Sequence, residues 1–363
     1  MEIAIIGGGN GCYAAAAHFS DLGHTVRMWR QDIEAFHPVL SSGKITLTDF
    51  QGTRETNISK PSNDIGEAVD GAELVLVPLP ATSHQHVSKL LAPHLQDGQV
   101  VYIPPATFGS YIFARSLFDS DNKARVAFGE TGTLPYLARK QEGNHVRISV
   151  YATRLPTGVF PATEAHRAIS IISKAYPSVE PLQDVLDGAT MNAGPVIHPP
   201  LIVLNAGPLE HFDAWDIHNE GTQPSIRRLT SALDNERISL RRALGYGEPH
   251  FPLSNHYDDD AEEWMYGNSS HEKLVDSGDW RESIDLLNHR YMREDTALGL
   301  SFWISLADWV GIDMPITKGL LEIASGMTGE NLYASGRTLN SLGLDGITKK
   351  ELSNLLREGF QYD

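Results

Sequence analysis

A histidine set among prolines is the first place in this chain where chemistry can be read. Met191-Asn192-Ala193-Gly194-Pro195-Val196-Ile197-His198-Pro199-Pro200-Leu201 is apolar and helix-like, yet three prolines interrupt it and a titratable His198 sits within it. Prolines bend a helix and free backbone groups, so a kinked helix could aim His198 into a cleft. Imidazole titrates near neutral pH and can move the proton that accompanies hydride transfer at a carbonyl or imine carbon. A satisfied core histidine fits the same residues. A second cluster, Asn288-His289-Arg290-Tyr291-Met292-Arg293-Glu294-Asp295, supplies a guanidinium and carboxylates. Five residues along one continuous α-helix turn by about 140°, so Arg290 and Asp295 would not share a face there. Both could reach one pocket if Arg290 lies in the preceding loop and the helix begins near Arg293. The acidic pair Glu294-Asp295 suits such an N-terminal turn. A solvated, charged helix start is the simpler reading of either residue alone.

Hydride chemistry needs a cofactor, and the first thirty residues carry the pattern for one. Ile3 to Ile6 is a β-branched run that feeds Gly7-Gly8-Gly9-Asn10-Gly11-Cys12, followed by a helical apolar pattern through Leu22 and a second strand, Thr25 to Trp29. Gly7 suits the tight turn, Gly9 lets backbone N–H groups approach a pyrophosphate, and Asn10 and Gly11 open the helix whose positive end faces that anion. Cys12 stands where a third glycine is usual, which predicts slightly looser helix–strand packing. An NAD site commonly ends the second strand in Asp or Glu, whereas Arg30 stands here, then Gln31 and Asp32. A cation suits a 2′-phosphate, so NADP is the expected cofactor, with NAD left open through Asp32. Pro80, after the strand Glu73 to Val77, and Glu130, in Gly129-Glu130-Thr131-Gly132, join the cofactor-site candidates, because ligands sit at strand carboxyl ends in such sheets.

The elements that must position these groups fall into two kinds. To about residue 185, buried apolar strands (Glu73 to Val77, Gln99 to Ile103, Arg125 to Phe128) alternate with helices, the mark of a doubly wound α/β domain. Lys44 to Leu47 and Thr56 to Ile58 are candidate minor strands, and His145 to Ala152 alternates partially. From Leu186 onward helical periodicity takes over: Pro224 to Leu244, Arg293 to Gly311, Ile316 to Met327 and Lys349 to Phe360. The expected domains are therefore 1–185, binding the dinucleotide, and 186–363, helical and catalytic, with the active site in the cleft between them. Pro249 to Ser283 reads as polar, aromatic and irregular.

Composition narrows the class further. At 363 residues the chain can hold two cores. A net charge of −17 argues against nonspecific nucleic-acid binding. The single cysteine excludes a disulfide framework and any Cys-rich metal site. Met1 to Ile6 already reads as strand rather than leader, and no apolar run approaches membrane-spanning length, so a cytoplasmic protein with no membrane partner is expected. A homodimer through the helical half is one assembly the sequence leaves open.

Spread along the chain are G-G-G-N-G at Gly7 to Gly11, G-E-T at Gly129 to Thr131, and M-N-A-x-x-V-I-H-P at Met191 to Pro199. They continue with L-N-A at Leu204 to Ala206, G-x-x-P-S at Gly221 to Ser225, and L-D-x-E-R at Leu233 to Arg237. The last are N-x-R-Y-x-x-E-D at Asn288 to Asp295 and G-R-T-L-x-x-L-G-L at Gly336 to Leu344. In this order and spacing the chain resembles the octopine/opine dehydrogenase family, including bacterial enzymes of the N-(1-D-carboxyethyl)-L-norvaline dehydrogenase type. The resemblance implies a Rossmann domain followed by an all-helical domain. It also implies a catalytic His–Asp dyad at His198 and Asp295, and a substrate arginine at Arg290. The implied activity joins a 2-oxo acid to an amino acid's amino group and reduces the imine with NAD(P)H. Members closest to this pattern often end the second strand in Asp and use NAD, from which Arg30 departs. Two other readings stay open: a hydroxy-acid or ketopantoate-like dehydrogenase using Lys318, and a non-catalytic NADP sensor.

Overall fold

In the computed structural model of the chain, residues 1–267, 270 and 280–361 are described. Two compact units result: Met1–Ala189 with the segment from Lys349 onward, and Thr190–Thr348. The expected assignment of everything beyond 185 to the second domain is thus corrected at the C-terminus. Helix Lys349–Glu358 buries Leu352 and Leu356 and packs beside the turn Ala162–Glu164 of the first unit. Phe360 then closes on Phe118, Tyr111 and Phe160, with ring centroids 4.9, 5.5 and 5.5 Å away. An apolar stripe ending in an aromatic needs a partner surface, and the first unit provides one.

The first unit is built on an eight-stranded sheet. Its twelve-strand inventory runs β1 (Glu2–Ile6), β2 (Thr25–Trp29), β3 (Lys44–Asp49), β4 (Gly52–Asn57), β5 (Lys60–Ser62) and β6 (Leu74–Leu76), then β7 (Val100–Ile103), β8 (Ala127–Thr131), β9 (Tyr136–Lys140), β10 (His145–Tyr151), β11 (Leu155–Phe160) and β12 (Val179–Pro181). The large sheet has the order β12-β11-β8-β7-β6-β1-β2-β5. Its neighbours are parallel except β8 and β11. From β1 the chain winds outward to β2 and β5, and from β6 it winds the other way. The carboxyl ends of β1 and β6 therefore flank the topological switch point, where dinucleotides bind in such sheets.

A second sheet, β4-β3-β10-β9, absorbs the weak strand signals between Lys44 and Ile58 and the alternation at His145. Helix Asn10–Asp21 packs against strands of both sheets, which explains its run of small residues: Ala14 to Ala17 are all fully buried. Four strands, β5, β9, β11 and β12, carry no clear signal in sequence. β9 ends in Arg139-Lys140, and β11 contains Pro156 and Gly158. Gly158 is required there, since a Cβ would collide with the backbone of Asp184 and Val185.

The second unit is helical. Among the described residues its only strands are the two-residue pair Trp215–Asp216 and Arg281–Glu282. Several of the family-like motifs are its joints. Asn205 donates to the carbonyls of Leu201 and Gly221 and accepts from the Trp215 indole. Within helix Pro224–Leu244, Arg237 pairs with Asp234 at 2.6 Å and donates to the Thr190 and His250 carbonyls. Glu236 accepts from the backbone of Ile316 and Thr317, holding the start of helix Pro315–Thr328. Part of the irregular stretch expected over Pro249 to Ser283 lies outside the described residues. No helix among the described residues is long and apolar enough to cross a membrane.

Candidate active site

The glycine turn follows directly from the end of β1. Gly7 adopts φ +119°, open to glycine at little cost, and its N–H donates to Trp29 O at 2.8 Å. A Cβ on Gly7 would collide with Leu79, so this turn lies against the Pro78-Leu79-Pro80 loop that leaves β6. At Gly9 a Cβ would meet nothing within 4 Å, which leaves open space over the turn. Helix Asn10–Asp21 has no side-chain cap and no acidic residue in its first turn. Backbone N–H groups at a helix N-terminus beside a glycine turn with no side chain over it fit a pyrophosphate. Cys12 is buried, its thiol pushed up to about 12 by burial, and its Sγ fills the space between helix and turn.

The other dinucleotide candidates differ in what they can touch. Arg30 continues from β2, its stem packed over Gly8, with Nη1 donating to Ala35 O at 3.0 Å and Nη2 3.6 Å from Asp32. Asp32 itself caps helix Ile33–Ser42. Asn10 does not turn its side chain outward: Oδ1 accepts from Lys140 N at 2.9 Å. Gly11 opens the helix beneath Leu134 and Pro78, and Pro80 stands exposed after β6. Glu130 is fully buried, and its two carboxylate oxygens accept from Phe108 N at 2.7 Å and Ser110 N at 2.9 Å. It holds the loop after β7, where Thr107 and Phe108 take φ of 50° and 64°, rather than facing a ligand directly.

In the second unit the sequence clusters meet. Helix Gly194–Leu204 keeps Pro195 in its first turn and Pro199 and Pro200 inside, and carries His198 between them. Opposite it runs Tyr291–Leu300, ten residues of π-helix that lead into helix Ser301–Val310. The π-helix starts at Tyr291 rather than near Arg293, with Arg290 as its first flanking residue. Bonds between residues five apart bring those residues nearly into line. Arg290 and Asp295 therefore share a face, which an α-helix would forbid. The Thr296 hydroxyl, donating to Tyr291 O at 2.7 Å, follows the same five-residue step. The two helices approach closely through glycines: a Cβ on Gly194 would collide with Asp295 Oδ1, and one on Gly299 with Pro195.

His198 Nδ1 donates to Asp295 Oδ2 at 2.7 Å, with side chains 13% and 6% exposed. Tyr291 stacks on the imidazole, ring centroids 3.7 Å apart and planes 13° from parallel. Its hydroxyl lies 3.1 Å from His218 Nε2. Imidazole Nε2 of His198 makes no hydrogen bond among the described residues, so it is the available acid–base atom. Arg290 makes no ion pair among the described residues; its guanidinium lies 5.1 Å from the Tyr291 ring centre, hydrogen-bonds the Tyr291 side chain, and feels the charges of Asp295 and Glu294. Burial, and then the Arg290 charge, hold the imidazole well below its ordinary pKa. Burial raises the Asp295 carboxyl to about 7, with Arg290 pulling it back. Because Arg290 opposes imidazolium and favours carboxylate, the pair is neutral imidazole beside carboxylate above neutral pH. Sequence reasoning passed over Tyr291 and His218. Tyr291 stood inside the N-x-R-Y-x-x-E-D motif; His218 carried no signal.

Lys318 is a surface residue, 3.3 Å from carboxylates of both Asp308 and Asp313. No cluster of three metal-ligating side chains occurs among the described residues.

A dinucleotide-binding sheet in one unit and a helical unit in the other make this an NAD(P)-dependent dehydrogenase of the two-domain kind. Residues 2–104 match the NAD-dependent glycerol-3-phosphate dehydrogenase N-terminus, and residues 181–328 match the NAD/NADP octopine/nopaline dehydrogenase α-helical domain. Over residues 181–328 the chain carries the helical domain of the octopine/nopaline dehydrogenase family, and along nearly its whole length it is similar to opine dehydrogenases. An opine dehydrogenase of Arthrobacter sp. (strain 1C) is 26% identical over 355 residues, covering 95% of this chain and 96% of that protein. Octopine dehydrogenase of Pecten maximus is 21% identical, covering 93% of this chain and 92% of its own. Octopine dehydrogenase solved with NADH and L-arginine is similar at a TM-score of 0.72 and 18% identity, over 100% of this chain and 99% of that one. Yersinopine dehydrogenase with NADP+ bound gives 0.68 and 13%, over 99% and 97%.

Proposed function

We propose that the enzyme reversibly condenses a 2-oxo acid with the amino group of an amino acid and reduces the imine, giving a secondary-amine dicarboxylate. One observation carries the roles: a buried His–Asp pair with a free Nε2, beside a buried guanidinium that makes no ion pair among the described residues. His198 Nε2 takes a proton from the substrate ammonium, freeing the amine to attack the oxo carbon. Asp295 carries the charge that stabilises the resulting imidazolium. The proton is returned to the carbinolamine hydroxyl, which leaves as water, so the histidine ends as it began. Arg290 grips a substrate carboxylate through two parallel hydrogen bonds and fixes the reacting carbon near His198. When bound, the nicotinamide supplies hydride to the imine carbon. Tyr291, stacked on His198 and tied to His218, holds the imidazole plane.

The cofactor preferred is NADP, which Arg30 at the end of β2 supports. A charge-assisted contact is worth roughly 1.5–3 kcal/mol, about ten- to a hundredfold in affinity. Arg30→Asp should erase or reverse the preference in steady-state kinetics with both cofactors, and equal use by the unaltered protein would refute it. The activity itself is tested by a matrix of oxo acids against amino acids, following NADPH oxidation. Oxidation that needs both partners is expected; oxidation with an oxo acid alone, at the same rate, would instead mark a simple carbonyl reductase.

A further inference from the structure

We propose that Lys140 and Tyr13 complete, with Arg30, a binding site for the 2′-phosphate of NADP. The inference rests on the NADP reading and extends it to residues outside the dinucleotide sheet. Tyr13, in the first turn of helix Asn10–Asp21, is fully buried, and its hydroxyl, which has no hydrogen-bond partner at ordinary distance among the described residues, has the Arg30 guanidinium as its one near donor. A buried hydroxyl without a partner costs stability, and such groups commonly serve a ligand. Lys140 ends β9, in the second sheet, and its ammonium lies 4.5 Å from the Tyr13 ring centre. It makes no ion pair among the described residues. Its position is built in, because Asn10 at the start of the same helix accepts from Lys140 N at 2.9 Å.

Arg30 reaches the same corner from β2. Its stem covers Gly8, where a Cβ would collide with it, so the bare glycine is what lets the guanidinium lie over the turn. Nη1 donates to Ala35 O, Nη2 lies 3.6 Å from Asp32, and the guanidinium is close enough to the Tyr13 hydroxyl to act on it. Burial and then Arg30 lower the Lys140 pKa, with Asp32 opposing, so the two cations feel one another. Burial raises the Tyr13 phenol and Arg30 pulls it back, which places that hydroxyl in the same field and keeps it a donor. Asp32 is the carboxylate that acts on Lys140; it is largely exposed, one oxygen caps the helix it precedes and the other lies 3.6 Å from Arg30 Nη2. Two cations and a phenol donor around one point suit a phosphate monoester dianion, whereas a ribose diol needs an acceptor.

The test compares NADP+ and NAD+ affinities, by titration calorimetry at fixed ionic strength, for the unaltered protein, Lys140→Met, Tyr13→Phe and Arg30→Gln. Methionine keeps an apolar stem over the Tyr13 ring and removes only the charge. Lys140→Met should weaken NADP+ about tenfold or more and move NAD+ by less than about twofold. Tyr13→Phe should weaken NADP+ about threefold, and Lys140→Arg should restore most of the loss. Equal weakening of both cofactors by Lys140→Met would overturn the site, since the lysine would then serve the pyrophosphate or the strand. Loss of preference in Arg30→Gln, with Lys140→Met and Tyr13→Phe unchanged, would overturn this inference alone. Equal affinities in the unaltered protein would overturn the NADP reading and this site with it.

Discussion

At the scale of single residues, the dyad makes a pH-dependent prediction. The Asp295 carboxyl is raised to about 7, so below that pH it takes up a proton and ceases to support an imidazolium. The condensation rate, as kcat/KM, should therefore fall as pH drops through about 7. Asp295→Asn should lose this acid limb along with much of the activity. Ionisation of the amine substrate affects both proteins equally and cancels in their ratio; a ratio flat across pH 5–9 would remove Asp295 from the mechanism. His198→Ala should lower kcat by about 10²–10⁴ and leave NADPH affinity nearly unchanged. Arg290→Ala should cost about 2–5 kcal/mol in kcat/KM, and Arg290→Lys should lower kcat as well as raise KM, because lysine keeps charge but not geometry. A keto substrate without a carboxylate should be poor and nearly indifferent to either change. Equal losses for both substrates would make Arg290 a brace for the turn before Asp295.

At the scale of elements, the π-helix and its glycine contacts decide where the dyad sits. Gly194→Ala adds a methyl where Asp295 Oδ1 lies and 3.2 Å from Asn192 Oδ1, so the carboxylate must shift. A displacement of about 1 Å in a positioned group can cost about 10²-fold, so a fall in kcat beyond tenfold is expected with cofactor binding retained. Gly207→Ala, whose Cβ would meet nothing within 4 Å, is the control and should keep full activity. Full activity in Gly194→Ala would show that the close approach is not what sets Asp295. The same helix marks where sequence reading ends. Gly7 to Gly11 and the strand before them are legible because a strand, a glycine turn and a helix leave local signals. His198 is legible as an oddity among prolines. Its meeting with Asp295 and Arg290 is not, because an α-helical period sends those two apart, and little in Tyr291 to Leu300 announces a five-residue step. Only the resemblance to opine dehydrogenases joined them. Asn10 and Glu130 carry suggestive types, but which backbone groups their side chains hold depends on strands distant in sequence.

At the scale of the whole molecule, the proposed function assigns the dinucleotide to the first unit and the substrate to the second. The C-terminal helix, expected with the helical half, instead returns to the first unit, because its leucines and Phe360 find their apolar surface there. A protein of net charge −17 that is to act on carboxylates needs local cations, and Arg290 and Arg30 are the ones proposed for that part, one in each unit. Reductive condensation differs from simple carbonyl reduction in one atom of the product. The most direct measurement is therefore mass spectrometry of the product formed from NADPH, a 2-oxo acid and a ¹⁵N-labelled amino acid. A secondary-amine dicarboxylate retaining ¹⁵N, formed by the unaltered enzyme and strongly reduced in His198→Ala, is the predicted result; a hydroxy acid free of ¹⁵N, formed at the rate of NADPH loss, would contradict it.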